Sequence, residues 1–357
     1  MDLTTRTQAE EVPESCKKCI GPSLRGRSLS EFLQALPFSL DDPVLNLAHL
    51  VEAGYDRLPM PGSGATLQRW QHLAQVASHD LSLVKLYEGH TDALSIIEEL
   101  GGVRPPSGST WGTWAAEPPN ARVRLSRSTG AGIRLNGNKA WCSGAHGLSH
   151  AVISAWDEQD QQVLACVELK QPGVVVTNEG WAAVGMAATN STDVTFHNAV
   201  AMELGRPGDY TSRSGFWHGG AGIAACWYGG ALALADTVRQ ACARRADPFR
   251  LAHLGAIDAA MSQAAALLRE TAEWIDQHPQ TDAMAHALCA RAVAESAARA
   301  VLDHAGRALG ATPYCRDRGF ARMAADLPVF VRQSHAESDL VALAQSRLSC
   351  GEPTWVL

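Results

Sequence analysis

The chain has 357 residues, 46% of them hydrophobic and 19% charged, with a formal net charge of −7. That length supports a large core or two to three domains, and the acidic balance argues against nucleic acid or an anionic membrane as the main partner. The nine cysteines are odd in number and scattered, and no secretory apolar run follows Met1, so reduced thiols and a cytoplasmic location are expected.

Residues 1–28 are polar and basic and read as a loose N-terminal segment. Cys16 and Cys19 form a lone CxxC there, with no second pair to make a metal site. Residues 29–107 read as a helical domain in which Leu67, Trp70, Ala74, Ala77 and Leu81 keep one apolar face. Gly101-Gly102 and Pro105-Pro106 end it. Residues 108–203 change texture to short β-prone runs, at 122–125, 133–135, 151–156, 163–169, 174–177 and 193–196. Asn136-Gly137-Asn138 reads as a turn between two of them. From 204 to 357 the chain turns alanine-rich, with helices expected over 216–243, 253–277, 282–309 and 320–347. Asp326 and Pro328 read as the cap and first turn that restart the last one. Ser214–Ala235 carries no Asp, Glu, Lys or Arg and is long enough to span a bilayer, but its glycines, His218 and Trp217 favour a helix buried in a bundle.

The expected fold is therefore α+β and multidomain: an N-terminal helical block, a central antiparallel β-barrel or sandwich, and a C-terminal four-helix bundle. This order excludes a doubly wound nucleotide fold, which alternates strand and helix. Gly220-Ala-Gly222 imitates a dinucleotide fingerprint but has no strand before it. His146 and His150 lack a third ligand, so no metal is expected.

Four segments carry a resemblance. Leu135-Asn-Gly-Asn-Lys-Ala-Trp-Cys-Ser-Gly-Ala145 resembles the "lnGxKxwiTna" segment of acyl-CoA dehydrogenases, and the stretch from Gly180 to Phe196 resembles their "lGmrxTxSxdvxF". Trp114-Ala-Ala-Glu-Pro118 is similar to "xxTEP", and Gly306-Arg-Ala-Leu-Gly310 falls where the family has "QxLGG". The resemblance covers roughly residues 67–345 and implies a flavoprotein of the acyl-CoA dehydrogenase superfamily. It implies that Trp114, Ala116, Trp141 and Ser143 meet the flavin ring. It also implies that Arg244, Arg245 and Phe249 lie near the family's Arg-x-x-Phe, which reaches the pyrophosphate across a subunit interface. Gly310 would approach the adenosine, with Ala311 standing where the family has a second glycine. FAD is expected in preference to FMN, in a homodimer or homotetramer acting on a small-molecule substrate, an acyl thioester.

The family's base is a glutamate, and neither of its two usual places holds one. Phe330-Val-Arg-Gln-Ser-His-Ala336 puts Arg332 at the first, and Phe216-Trp-His-Gly-Gly220 covers the second. Glu337 lies close in sequence, but five residues on a helix move a side chain over a turn. Gln333-Ser-His335 resembles a "TH" pair of the flavin monooxygenase branch of this fold, and His90 resembles a histidine which that branch places beside the flavin. Histidine is the side-chain type suited to proton transfer near neutral pH. The candidate catalytic residues are thus His335, His90 and Glu337. The expected function is α,β-dehydrogenation of an acyl thioester with hydride transfer to flavin; the alternatives are a flavin monooxygenase and a catalytically silent flavin-binding protein.

Overall fold

The computed structural model describes residues 27–36, 38–127, 132–349 and 355; the CxxC at Cys16 and Cys19 lies outside them. Four helices come first: α1 (Leu29–Ala35), α2 (Pro43–Glu52), α3 (Thr66–His79) and α4 (Leu81–Leu100). Each of these four starts has a physical reason. Ser28 and Glu31 close a reciprocal capping box on α1, and the Asp42 and Asp80 side chains accept from the first turns of α2 and α4. Asp276 reaches across from the C-terminal bundle to accept from Gly64 and Thr66 at the head of α3. α4 is apolar on several sides, because it packs against both the β-domain and the bundle.

Seven strands follow: β1 (Trp111–Trp114), β2 (Val123–Arg127), β3 (Ile133–Cys142), β4 (His150–Trp156), β5 (Gln162–Glu168), β6 (Val174–Val176) and β7 (Thr192–Leu204). The order β4-β2-β3-β7-β5 closes on itself through the β4–β5 pairing, with β1 added beside β4 and β6 beside β7. The sheet is mixed and not purely antiparallel, because β1 runs parallel to β4 and β2 meets β4 at one parallel pair, Arg124 with Trp156. Asn136-Gly137-Asn138 is also not a turn. Gly137, with φ 118°, sits at a bulge inside β3, where the carbonyl of Arg122 occupies the space a side chain would need.

The last part of the chain is helical: α5 (Asp209–Ser212), α6 (Gly215–Arg244), α7 (Pro248–Gln277), α8 (Met284–Leu309), α9 (Thr312–Arg316), α10 (Arg318–Phe330) and α11 (Glu337–Ser349). α6, α7 and α8 pack on one another, and α10 packs on α6. Both α6 and α7 are long and apolar enough to cross a membrane by length and composition; 67% of the most apolar window of α6 is buried inside the protein. Asp247 caps α7 five residues earlier than periodicity suggested. The expected helix over 320–347 is two helices, broken at 331–336. Asp326 is not a cap: it is buried inside α10, accepting the Met186 N–H from the β-domain and pairing with Arg322. That long-range bond has no local signal in sequence.

Candidate active site

Trp141 and Ser143, expected to meet the flavin, lie at the end of β3. A register shift between Lys139 and Cys142 puts Trp141 in the left-handed region (φ 57°) and turns its indole outward, 51% exposed. Two residues on, Ser143 is buried, and its hydroxyl lies 2.7 Å from that of Ser191. Ser191 lies 2.8 Å from the hydroxyl of Thr189, which donates to the Met186 carbonyl. A hydroxyl has one proton. Thr189 gives its proton to a carbonyl, so Ser191 must donate to Thr189 and Ser143 to Ser191. Ser143 therefore faces any further group with lone pairs only. Trp114 is buried and donates its indole N–H to the Ser143 carbonyl at 3.2 Å, and Ala116 is half-buried two residues later. Three of the four resemblance segments thus converge on Ser143.

The first place for a base is occupied by a cation. Arg332 follows α10 and ion-pairs with Glu295 of α8, which also holds Arg299. The next residues are pinned by Arg291, a buried side chain that donates to the carbonyls of Gly220 (3.1 Å) and Gln333 (2.9 Å) and stands 3.6 Å from Asp339. Burial pushes its pKa down, against the pull of Asp339 and Glu295. His335 is at the surface, 80% exposed in its side chain, with Nδ1 3.4 Å from Asp339. Glu337 is exposed in the first turn of α11. The structure brings neither to a buried site within this chain.

His90 is fully buried. Its Nδ1 accepts the Trp111 N–H at 3.1 Å, which leaves the proton on Nε2, 3.4 Å from Asp56. With both ring nitrogens engaged, it joins α4 to β1 and has no free lone pair to act as a base.

At the second place for a base, the head of α6, His218 is 2% exposed and Asp92 of α4 fills the space beside Gly219, where an added Cβ would lie 2.9 Å from its Oδ1. Both line a cavity of about 330 Å³. Glu99 closes one side, paired with Arg213 at 2.7 Å and accepting the Gly215 N–H at the start of α6. Sequence reasoning missed Asp92, Arg291 and Ser191. Ser191 had a signal as the Ser of Thr-x-Ser in the segment from Gly180 to Phe196, and Arg291 had one as a charge on the apolar stripe of Leu288, Ala294 and Ala298; Asp92 had none.

No protein-family model matches this sequence. Over 142 residues it is 30% identical to a dibenzothiophene monooxygenase of Rhodococcus erythropolis; the match spans 35% of this chain and 34% of that protein, so the chain aligns with about a third of its relative's length. Among solved structures, an FMN-bound dibenzothiophene monooxygenase (TdsC) of Paenibacillus sp. A11-2 superposes with a TM-score of 0.76 at 19% identity, covering 88% of this chain and 92% of that one. Butyryl-CoA dehydrogenase of Megasphaera elsdenii superposes with a TM-score of 0.73 at 15% identity, covering 85% and 89%. This chain has the acyl-CoA dehydrogenase fold.

Within the acyl-CoA dehydrogenase fold of this chain, the other expected cofactor residues gather elsewhere. Arg244 and Arg245 end α6, exposed, and Phe249 opens α7, 82% exposed. Arg250 ties this corner to the end of α8 by donating to the carbonyls of Arg245 (2.7 Å) and Ala308 (3.3 Å), two residues before Gly310. Arg244, Arg245, Phe249 and Gly310 thus share one end of the bundle. The β-domain loop before Ser191 touches α10 through Met186 and Asp326, and α10 touches α6 at Gly230 through Leu327. Arg244 lies fourteen residues further along α6, about 21 Å at 1.5 Å per residue.

Proposed function

We propose that this chain is a cytoplasmic flavin-dependent oxidoreductase that works as a monooxygenase. The observation that carries the reading is Arg332: at the position where the resemblance puts a catalytic glutamate, a guanidinium is tied to Glu295. The likeness to dibenzothiophene monooxygenase supports it.

The residues present fit a flavin ring. The exposed indole of Trp141 is an uncovered aromatic face, and Ser143 beside it supplies a buried hydroxyl. A bound reduced flavin would supply the electrons that split O₂, one oxygen going to the substrate and the other leaving as water. The chain's own part is to hold and shield. Ser143, with its proton committed to Ser191, accepts from an N–H and so favours the reduced ring, which carries one more N–H on its central nitrogen than the oxidised ring does. Arg244, Arg245 and Phe249 serve the phosphate side of a cofactor in a second copy, which makes the working form a homodimer or larger. Whether the cofactor is FAD or FMN turns on whether the open surface at Gly310 takes an adenosine.

An acyl thioester dehydrogenase would need a carboxylate at the substrate's α carbon, and Glu337 is the residue nearest in sequence. Anaerobic mixing of the flavin-loaded protein with a panel of acyl-CoAs separates the two. The monooxygenase reading expects no bleaching within seconds; rapid bleaching would overturn it.

A further inference from the structure

The cavity at the head of α6 is lined by the carboxylates of Asp92, Glu98 and Glu99 against a single guanidinium, Arg213. Glu99 and Arg213 satisfy each other at 2.7 Å. Asp92 makes no hydrogen bond or ion pair in the structure, and Glu98 stands exposed at the rim. Arg69, buried nearby, donates to the carbonyls of Pro59 and Thr91, and its charge acts on Asp92 without a direct contact. His218 lines the same space, and its Nε2 is buried without a partner; the Nε of Arg213, in a side chain 6% exposed, is also buried without one. Burial pushes the His218 imidazole down, so near neutrality it is uncharged and can offer a lone pair. Met60, Pro61 and Pro279 give the cavity an apolar wall. Gly62 keeps it open at His218, since an added Cβ would lie 3.2 Å from the imidazole.

We propose that this cavity binds a small organic cation, an ammonium on an apolar body, with Asp92 and Glu98 meeting the charge and His218 accepting an N–H. The three carboxylates outnumber the guanidiniums of Arg213 and Arg69, so the cavity attracts a cation; a neutral imidazole accepts from it, and the volume suits a ligand of modest size. The same charges repel the phosphates of a nucleotide or a coenzyme A tail. The inference concerns binding alone and does not depend on the flavin reading.

The test is calorimetric titration of the full chain at pH 7 with benzylamine, benzyl alcohol and benzoate, which share a ring and differ in charge. Benzylamine should bind at least tenfold more tightly than the alcohol, and benzoate should not bind. Asp92→Asn should weaken benzylamine at least tenfold and leave benzyl alcohol unchanged. Because Asp92→Asn lies near the core, Glu98→Gln at the exposed rim serves as the second variant and should weaken benzylamine a fewfold. No benzylamine binding at millimolar concentration, equal binding of the three, or equal binding by parent and Glu98→Gln would overturn the proposal.

Discussion

The ammonium of Lys139 and the carboxylate of Glu117 meet at 2.6 Å inside the β-domain, joining two of the segments on which the sequence resemblance rests. Lys139 is fully buried, and Ser154 and the indole N–H of Trp156 complete the carboxylate's partners. Burial alone would raise the pKa of Glu117, but the donors around it hold it below its ordinary value; burial lowers that of Lys139. Removing one partner of such a pair strands the other. Glu117→Gln should therefore cost about 3–5 kcal/mol in urea unfolding, and replacing both by apolar residues should cost less than the two single changes summed. Additive losses would show that the pair is not coupled.

Trp141 and Trp70 make a matched contrast. Trp70 is 2% exposed and belongs to the core, whereas Trp141 is 51% exposed on the proposed flavin wall. Trp70→Ala should lower stability by about 3–5 kcal/mol. Trp141→Ala should leave stability nearly unchanged and weaken flavin binding at least tenfold. Equal flavin retention by the two folded variants removes the assignment of Trp141.

Asp80 predicts a pH effect. It is buried, caps α4 through Leu83 at 2.6 Å and pairs with Arg322 at 3.1 Å. Burial nevertheless raises its pKa to about 6, against the pull of Arg322. A folded-state pKa above the unfolded one means that the native protein binds the proton more tightly, so this group's contribution is greatest below pH 4 and is lost as pH rises through 6. The stability of the parent relative to Asp80→Asn should thus be greater at pH 4.5 than at pH 7, by on the order of 1–3 kcal/mol. Paired denaturant melts at the two pH values check this, and an unchanged difference refutes it.

Glu337 is exposed at the start of α11, and His335 is exposed beside Asp339. A positioned base contributes on the order of 10²–10⁴-fold to proton removal. Glu337→Gln should change turnover less than twofold. A loss of 10²-fold or more would return this carboxylate to the reaction and favour the dehydrogenase reading.

The broad architecture was legible because periodicity changes sharply at 108 and again after 204, and local signals such as the Asp247-Pro248 break are written in adjacent residues. What sequence reasoning lost was long-range. Asp326 looked like a cap because its true partner, the Met186 N–H, is 140 positions away. Gly137 looked like a hairpin turn because the carbonyl that fills its missing side chain belongs to Arg122 on the neighbouring segment. At the candidate site, motif spacing singled out Trp141 and Ser143, which the fold sets two residues apart at the end of β3. The direction of the Ser143–Ser191–Thr189 chain needed coordinates, as did the burial of both His90 nitrogens.

On the proposed reading, Trp141 and Ser143 hold a flavin and prefer its reduced form. The most direct measurement is the dissociation constant of FMN and of FAD, each oxidised and each reduced under anaerobic conditions, followed by quenching of tryptophan fluorescence. One of the two flavins should bind with a reduced form at least tenfold tighter than the oxidised, and Ser191→Ala, which frees the Ser143 proton, should narrow that ratio. A folded protein that takes up neither flavin, or that binds the oxidised form more tightly, would contradict that reading.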